Sequence, residues 1–260
     1  MIPPLLLVTG AALLILCLVG GAKGATPPRP SNERTAVPGA YKATEILRRY
    51  ASLLARYNAP MPPPALALII QRESGGSPSA IARGMVDGGS ELGLTQLTVE
   101  HTGTSGEAQL ADVDPLTPAG AIFGVQHEYD RIRERLTETL ADFHYDEITS
   151  ARDWIVLMHL ARSIGLAGTK TILNASRHDD SGNAVAAIRA LANGPTSAIP
   201  RVGRQTPELV QKRLKRAVAL PDDAATLGPL PSELGRLPER GDDVPHFDRG
   251  RAMNAIGVAT

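Results

Sequence analysis

Residues 65–98 read ALALIIQRESGGSPSAIARGMVDGGSELGLTQLT. The stretch opens on an almost wholly apolar helix over residues 65–70, reached through Pro62, Pro63 and Pro64. Prolines fit the first turn of a helix, where their missing N–H has no partner to lose. Glu73 ends the helix, and Gly75 and Gly76 stop it, because glycine takes the left-handed conformation a helix end needs. Asp87-Gly88-Gly89 then suits a tight turn or a small hairpin, and Gly93-Leu94-Thr95-Gln96-Leu97 forms a second compact run. Glu73 follows Ile69 and Ile70 by about one turn, on the side that packs inward.

A lone carboxylate against an apolar wall is expected to have a raised pKa, since burial disfavours its charged form. A carboxylic acid that keeps its proton near neutral pH is what general-acid cleavage of a glycosidic bond requires. The commonplace alternative is a solvated glutamate at a helix end. The context favours the acid. Glu73-Ser74-Gly75-Gly76, some twenty residues, then Gly93-Leu94-Thr95-Gln96 resembles the motif pair of the soluble lytic transglycosylases and goose-type lysozymes. The resemblance implies that Glu73 is the sole catalytic acid and base. It implies that Ser74, Gly93, Leu94 and Gln96 line the substrate groove, with Ala80 as the small residue between the two halves. It covers about 35 residues clearly, with a weaker echo at Asp114-Pro115, where family members have a turn before a helix flanking the groove. Family members also carry a Tyr-Asn-Ala-Gly run further on. The matching stretches here are Arg162-Ser163-Ile164-Gly165 and Leu191-Ala192-Asn193-Gly194, and neither keeps the tyrosine. His159, on the helix that leads to the first of these, is a further candidate for the groove, against the plainer reading of a satisfied core histidine.

Composition sets the limits. The chain has 260 residues, enough for one or two domains, and its 43% hydrophobic content supports a core. Net charge is zero, so nothing in the overall balance points to nucleic acid. The single cysteine, Cys17, rules out a disulfide framework within one chain, and the six histidines form no HExxH pair. No metal site or cofactor is expected. Aromatic residues make up 3%, few for a sugar-stacking groove.

Residues 2–22 carry no charged side chain, and a helix of about 20 apolar residues spans a bilayer core. The segment, with residue 23, reads as a membrane anchor or a secretory signal peptide. The missing basic residue before it and its length favour the anchor. Residues 24–40, with four prolines, read as a linker. A helix is expected over 41–57, where Ile46, Leu47, Tyr50, Leu53, Leu54 and Tyr57 recur at helical spacing. Thr117 is expected to cap a long helix from Pro118, with a core stripe of Ile122, Val125, Tyr129, Ile132, Leu136, Leu140 and Phe143. Ser150 and Asp153 start a helix over 151–164 that Gly165 ends, and further helices are expected over 181–191 and 207–220. Residues 201–216 hold six basic side chains and one acidic: a solvated helix face, or a contact for anionic wall polymers or lipid headgroups. Residues 221–260, rich in proline and glycine, read as a disordered tail.

The expected fold is therefore an all-α domain with a minor β component over residues 41–220. The resemblance adds a lysozyme-like architecture and peptidoglycan glycan strands as substrate, cleaved between N-acetylmuramic acid and N-acetylglucosamine. The membrane, through residues 2–22, is the other expected partner, with the domain periplasmic, or secreted if the segment is cleaved. Asp87 and Glu91 are the acids between the motif halves; Asp87 fits a turn and Glu91 is expected to face solvent. That favours a transglycosylase over a hydrolase, which needs a second carboxylate to activate water. The rival from another class is a non-catalytic wall-binding scaffold in an envelope or secretion assembly.

Overall fold

The computed structural model describes residues 41–82, 90–99, 114–176 and 182–230. The anchor or signal segment, the linker, the Asp87-Gly88-Gly89 turn and the tail beyond residue 230 lie outside them. Among the described residues no helix is long and apolar enough to cross a membrane.

The fold is mostly helical with one small sheet. Helices α1 (Ala43–Arg49), α2 (Ala51–Arg56) and α3 (Pro63–Ser74) come first. Strands β1 (Ile81–Ala82), β2 (Ser90–Leu92) and β3 (Leu97–Val99) follow, and then α4 (Pro118–Asp142), α5 (Ala151–Ile164), α6 (Leu166–Ala175), α7 (Ala184–Asn193) and α8 (Pro207–Leu227). The strands pair antiparallel in the order β1-β2-β3, with Ile81 opposite Leu92 and Leu92 opposite Leu97. The second hairpin, closed by Gly93–Gln96, was not foreseen as a strand pair.

Helix α5 is the hub, packing on α4, α6, α7 and α8, while α3 packs on α1, α2 and α8. Their apolar faces form one core that includes Leu66, Ile69, Ile70, Leu157 and Leu160. The loop into α3 is pinned by the buried Gln126 of α4. Its Nε2 donates to the carbonyls of Tyr57 and Met61 at 2.7 and 2.6 Å, and its Oε1 accepts from the Met61 N–H at 2.9 Å. The amide is thus satisfied on both sides, which fixes where α3 begins.

The caps read from the sequence are present. The Thr117 hydroxyl accepts from Gly120 N–H, the Ser150 hydroxyl from Asp153 N–H, and Gly75 ends α3 at φ 62°. Three expectations need correction, and one further helix was not foreseen. The helix expected over 41–57 breaks at Tyr50, whose backbone leaves helical geometry and whose hydroxyl donates to Gly76 O at 3.2 Å. Gly165 ends α5, but α6 starts at once, because Thr169, Ile172 and Leu173 supply a further buried face. The helix expected over 181–191 begins later, at Ala184, where Asn183 Oδ1 accepts from the N–H groups of Val185 and Ala186. Helix α8 runs through Pro221 to Leu227 rather than stopping at Leu220. Proline in a helix interior costs about 3 kcal/mol, but Leu220, Pro221 and Ala224 are buried, and Asp223 pairs with Arg72 at 2.6 Å. Residues 221–227, read from the sequence as part of the tail, are thus helical.

Candidate active site

Glu73 sits half-buried in the last turn of α3. Its neighbour Ser74 is 3% exposed and points the other way, into the protein. The Ser74 hydroxyl donates to Leu94 O at 2.6 Å, lies 3.1 Å from Ile70 O, and accepts from Gly76 N–H at 3.2 Å. One side chain thus ties the end of the Glu73 helix to the Gly93–Gln96 turn.

That turn is braced from three sides. Gly93 N–H donates to Ala80 O at 2.8 Å. Gln96, at φ 52°, folds its amide back, so that Nε2 donates to Gly93 O at 2.7 Å and Ala80 O at 3.1 Å. Leu94 is fully buried. On the far side a Cβ on Gly93 would stand 1.7 Å from the Pro115 carbonyl oxygen, so the Asp114-Pro115 turn presses directly on the Gly93 backbone. Ser74, Gly93, Leu94 and Gln96 are thus brought together around the base of Glu73. Their side chains are occupied by one another and by the core, so they hold Glu73 in place. No groove-lining surface is visible on them.

Three residues from α4 and α5 stand beside this turn. Arg162 of α5, with a side chain 11% exposed, donates from Nε to Glu128 Oε2 at 2.9 Å. Its Nη2 donates to the carbonyls of Thr95 and Gln96 at 2.6 and 3.2 Å. One guanidinium therefore clamps the turn to α4 and α5, using the planar fork that lysine lacks. Its carbon lies 5.9 Å from the centre of the Tyr129 ring. Tyr129 is wholly buried, and its hydroxyl has no hydrogen-bond partner among the described residues. His159, one turn before Arg162 on α5, is 5% exposed, with Nδ1 buried and without a hydrogen-bond partner among the described residues.

Electrostatics joins these groups to Glu73. Burial pushes the Tyr129 hydroxyl well above its ordinary pKa; Arg162 opposes this, and Glu128 and Glu73 add to it. Tyr129 is a neutral hydroxyl at all working pH values. Burial lowers His159 to about 4; Glu73 opposes this, and Arg162, Arg72 and Arg216 add to it. His159 is neutral at pH 7. Burial works against the Arg162 charge, but Glu128, Tyr129 and Glu73 outweigh it and hold the group above its ordinary pKa. Glu73 thus shares its surroundings with a neutral hydroxyl, a neutral imidazole and a fixed cation.

Tyr129 was read as core packing alone, and Arg162 only as the residue where the family tyrosine is missing. Arg162 had a signal: it is the one formally charged side chain in residues 154–164, WIVLMHLARSI. A cation in such a face must find a partner when buried. Glu91 also differs from expectation, being half-buried on β2 rather than facing solvent. Asp87 lies outside the described residues. Among the described residues no group of three or more histidine, cysteine or acidic side chains is placed to hold a metal ion.

Two outcomes follow from these contacts. Arg162→Ala removes the donors of two carbonyls and the partner of Glu128, whose side chain is 32% exposed and so partly rescued by water. The expected loss is about 2–3 kcal/mol of stability in urea unfolding, below the range for a fully buried pair. Arg162→Lys should restore part of it. His159 gives the pH dependence its sign. Its folded pKa of about 4 lies below the ordinary 6.5. Between those values the unfolded chain binds a proton that the folded chain refuses, so stability falls as pH falls through the window. Unfolding at pH 7 and pH 4.5 should show a loss of order 2–3 kcal/mol from this group, and His159→Phe should remove that part of the slope.

No family model matches the sequence, and neither a curated protein nor a solved structure matches it.

Proposed function

We propose that the chain is a peptidoglycan lytic transglycosylase of lysozyme-like architecture, held at the outer face of a membrane by residues 2–22. The observation that supports this best is the setting of Glu73. It is a half-buried carboxyl at the end of a buried helix, with Tyr129, His159 and Arg162 around it and the Gly-Leu-Thr-Gln turn bonded to its neighbour Ser74.

In the proposed reaction Glu73 gives its proton to the glycosidic oxygen as the C1–O bond breaks, and the substrate's own N-acetyl oxygen closes onto C1. The Glu73 carboxylate then takes the proton of the muramoyl 6-hydroxyl, whose oxygen attacks C1 and displaces the N-acetyl oxygen. Glu73 ends protonated, no water is consumed, and the product is a 1,6-anhydro sugar. One carboxyl group suffices for both steps.

The half-buried Glu91 favours one alternative, a lysozyme-type hydrolase in which Glu91 serves as the second carboxylate. Zymography of the purified chain in a gel containing peptidoglycan tests the glycan reading itself. A cleared band is expected. An uncleared gel, with a known muralytic enzyme clearing beside it, would replace the enzyme by the wall-binding scaffold.

A further inference from the structure

Beside the end of α3, a groove of about 440 Å³ runs along α8. Its volume lies within the range of small-ligand sites. Four cations, Arg72, Lys212, Lys215 and Arg216, line it together with two carboxylates, Glu208 and Asp223. On α8 these residues fall at 208, 212, 215, 216 and 223, a single stripe at helical spacing. Asp223 is bonded to Arg72 at 2.6 Å. Lys212, Lys215 and Arg216 are exposed and have no ion pair or side-chain hydrogen bond among the described residues.

Like charges three and four residues apart on a helix repel one another. The groove holds four cations against two carboxylates, one of which is already bonded to Arg72, and this excess of positive charge makes a site for an anion. The groove also adjoins the candidate active site. Arg72 precedes Glu73 on α3, and the charges of Arg72, Arg216 and Glu73 are all felt by the buried His159.

We infer that this groove binds the carboxylates of the short peptides carried by peptidoglycan strands, so that the site takes peptide-bearing glycan in preference to bare glycan. The inference rests on the glycan reading of Glu73. Reach allows it: four extended residues span up to about 14 Å, and the groove begins at the residue next to Glu73. The mixed lining favours a peptide over a lipid surface. Glu208, at one end of the stripe, repels a sheet of phosphates, but it suits a ligand that carries an amino group as well as carboxylates.

The test compares glycan strands that keep their peptides with the same strands stripped by an amidase. The wild type should cleave the peptide-bearing strands with a KM at least about tenfold lower. The variant Lys212→Gln/Lys215→Gln/Arg216→Gln should lose that preference, with its rate on stripped strands within about twofold of wild type. If the triple variant fails to fold, Lys212→Gln/Lys215→Gln should lose most of the preference. A wild type with no preference, or a variant that keeps it, overturns the inference while cleavage of stripped strands upholds the glycan reading. Cleavage of neither strand overturns both. Loss of binding to phosphatidylglycerol vesicles in the variant, with the peptide preference intact, overturns the inference and gives the groove to lipid.

Discussion

Exchanging Glu73 for glutamine is expected to lower the rate of peptidoglycan cleavage by at least about 100-fold while the fold survives. The amide keeps the shape of the side chain but has no proton to give at neutral pH. The backbone around it is held by other groups. The helix end is fixed through the Ser74 hydroxyl and the left-handed Gly75, and the turn is fixed through Arg162, Gln96 and Gly93. A circular dichroism spectrum and an unfolding midpoint close to wild type should therefore accompany the lost activity. Cleavage at a near wild-type rate would remove Glu73 from the chemistry.

Replacing Gly93 by alanine should cost more than about 4 kcal/mol, combining a steric clash with a left-handed backbone. The new methyl group would stand 1.7 Å from the Pro115 carbonyl oxygen, at φ 77°. That oxygen belongs to backbone held by Asp114, whose carbonyl accepts from the N–H and hydroxyl of Thr117 and whose Oδ1 accepts from Leu116 N–H. The turn cannot retreat without breaking these bonds at the start of α4. Gly165 supplies the control. It has nearly the same φ, 78°, but a Cβ there meets nothing within 4 Å. Gly165→Ala should cost only the backbone term, about 1–3 kcal/mol, because φ 78° with ψ 157° is a conformation essentially confined to glycine. Urea unfolding of the two variants separates the clash from the strain; equal losses would mean that Pro115 does not press on Gly93.

Much of this arrangement was legible in local patterns. The capping residues Thr117 and Ser150 gave the starts of α4 and α5, because a cap is a contact between residues three apart in sequence. Gly75 gave the end of α3 for the same kind of reason. The extent of α8 was not legible, because what carries it past Pro221 comes from other elements: Leu220, Pro221 and Ala224 are buried, and Asp223 bonds to Arg72 of α3. The site divides in the same way. Glu73 and its turn stand in two short motifs, whereas Tyr129, His159 and Arg162, which feel its charge, stand on α4 and α5. The periodicity of α4 shows that Tyr129 points inward. It does not show that the ring lies under the Arg162 guanidinium, which depends on how α4 and α5 cross. The motif residues Gln96 and Ser74 held the opposite surprise. Their polar side chains suggested contact with substrate, yet both are consumed by backbone groups within the scaffold.

The central claim is that Glu73 works alone and that the muramoyl hydroxyl, not water, completes the reaction. Mass analysis of the soluble fragments from purified peptidoglycan, digested by the wild type and by Glu73→Gln in parallel, tests it most directly. The account predicts fragments lighter by one water than hydrolysis products, from the wild type alone. Fragments with ordinary reducing ends would contradict it and assign water activation to a second carboxylate, with Glu91 the first to replace.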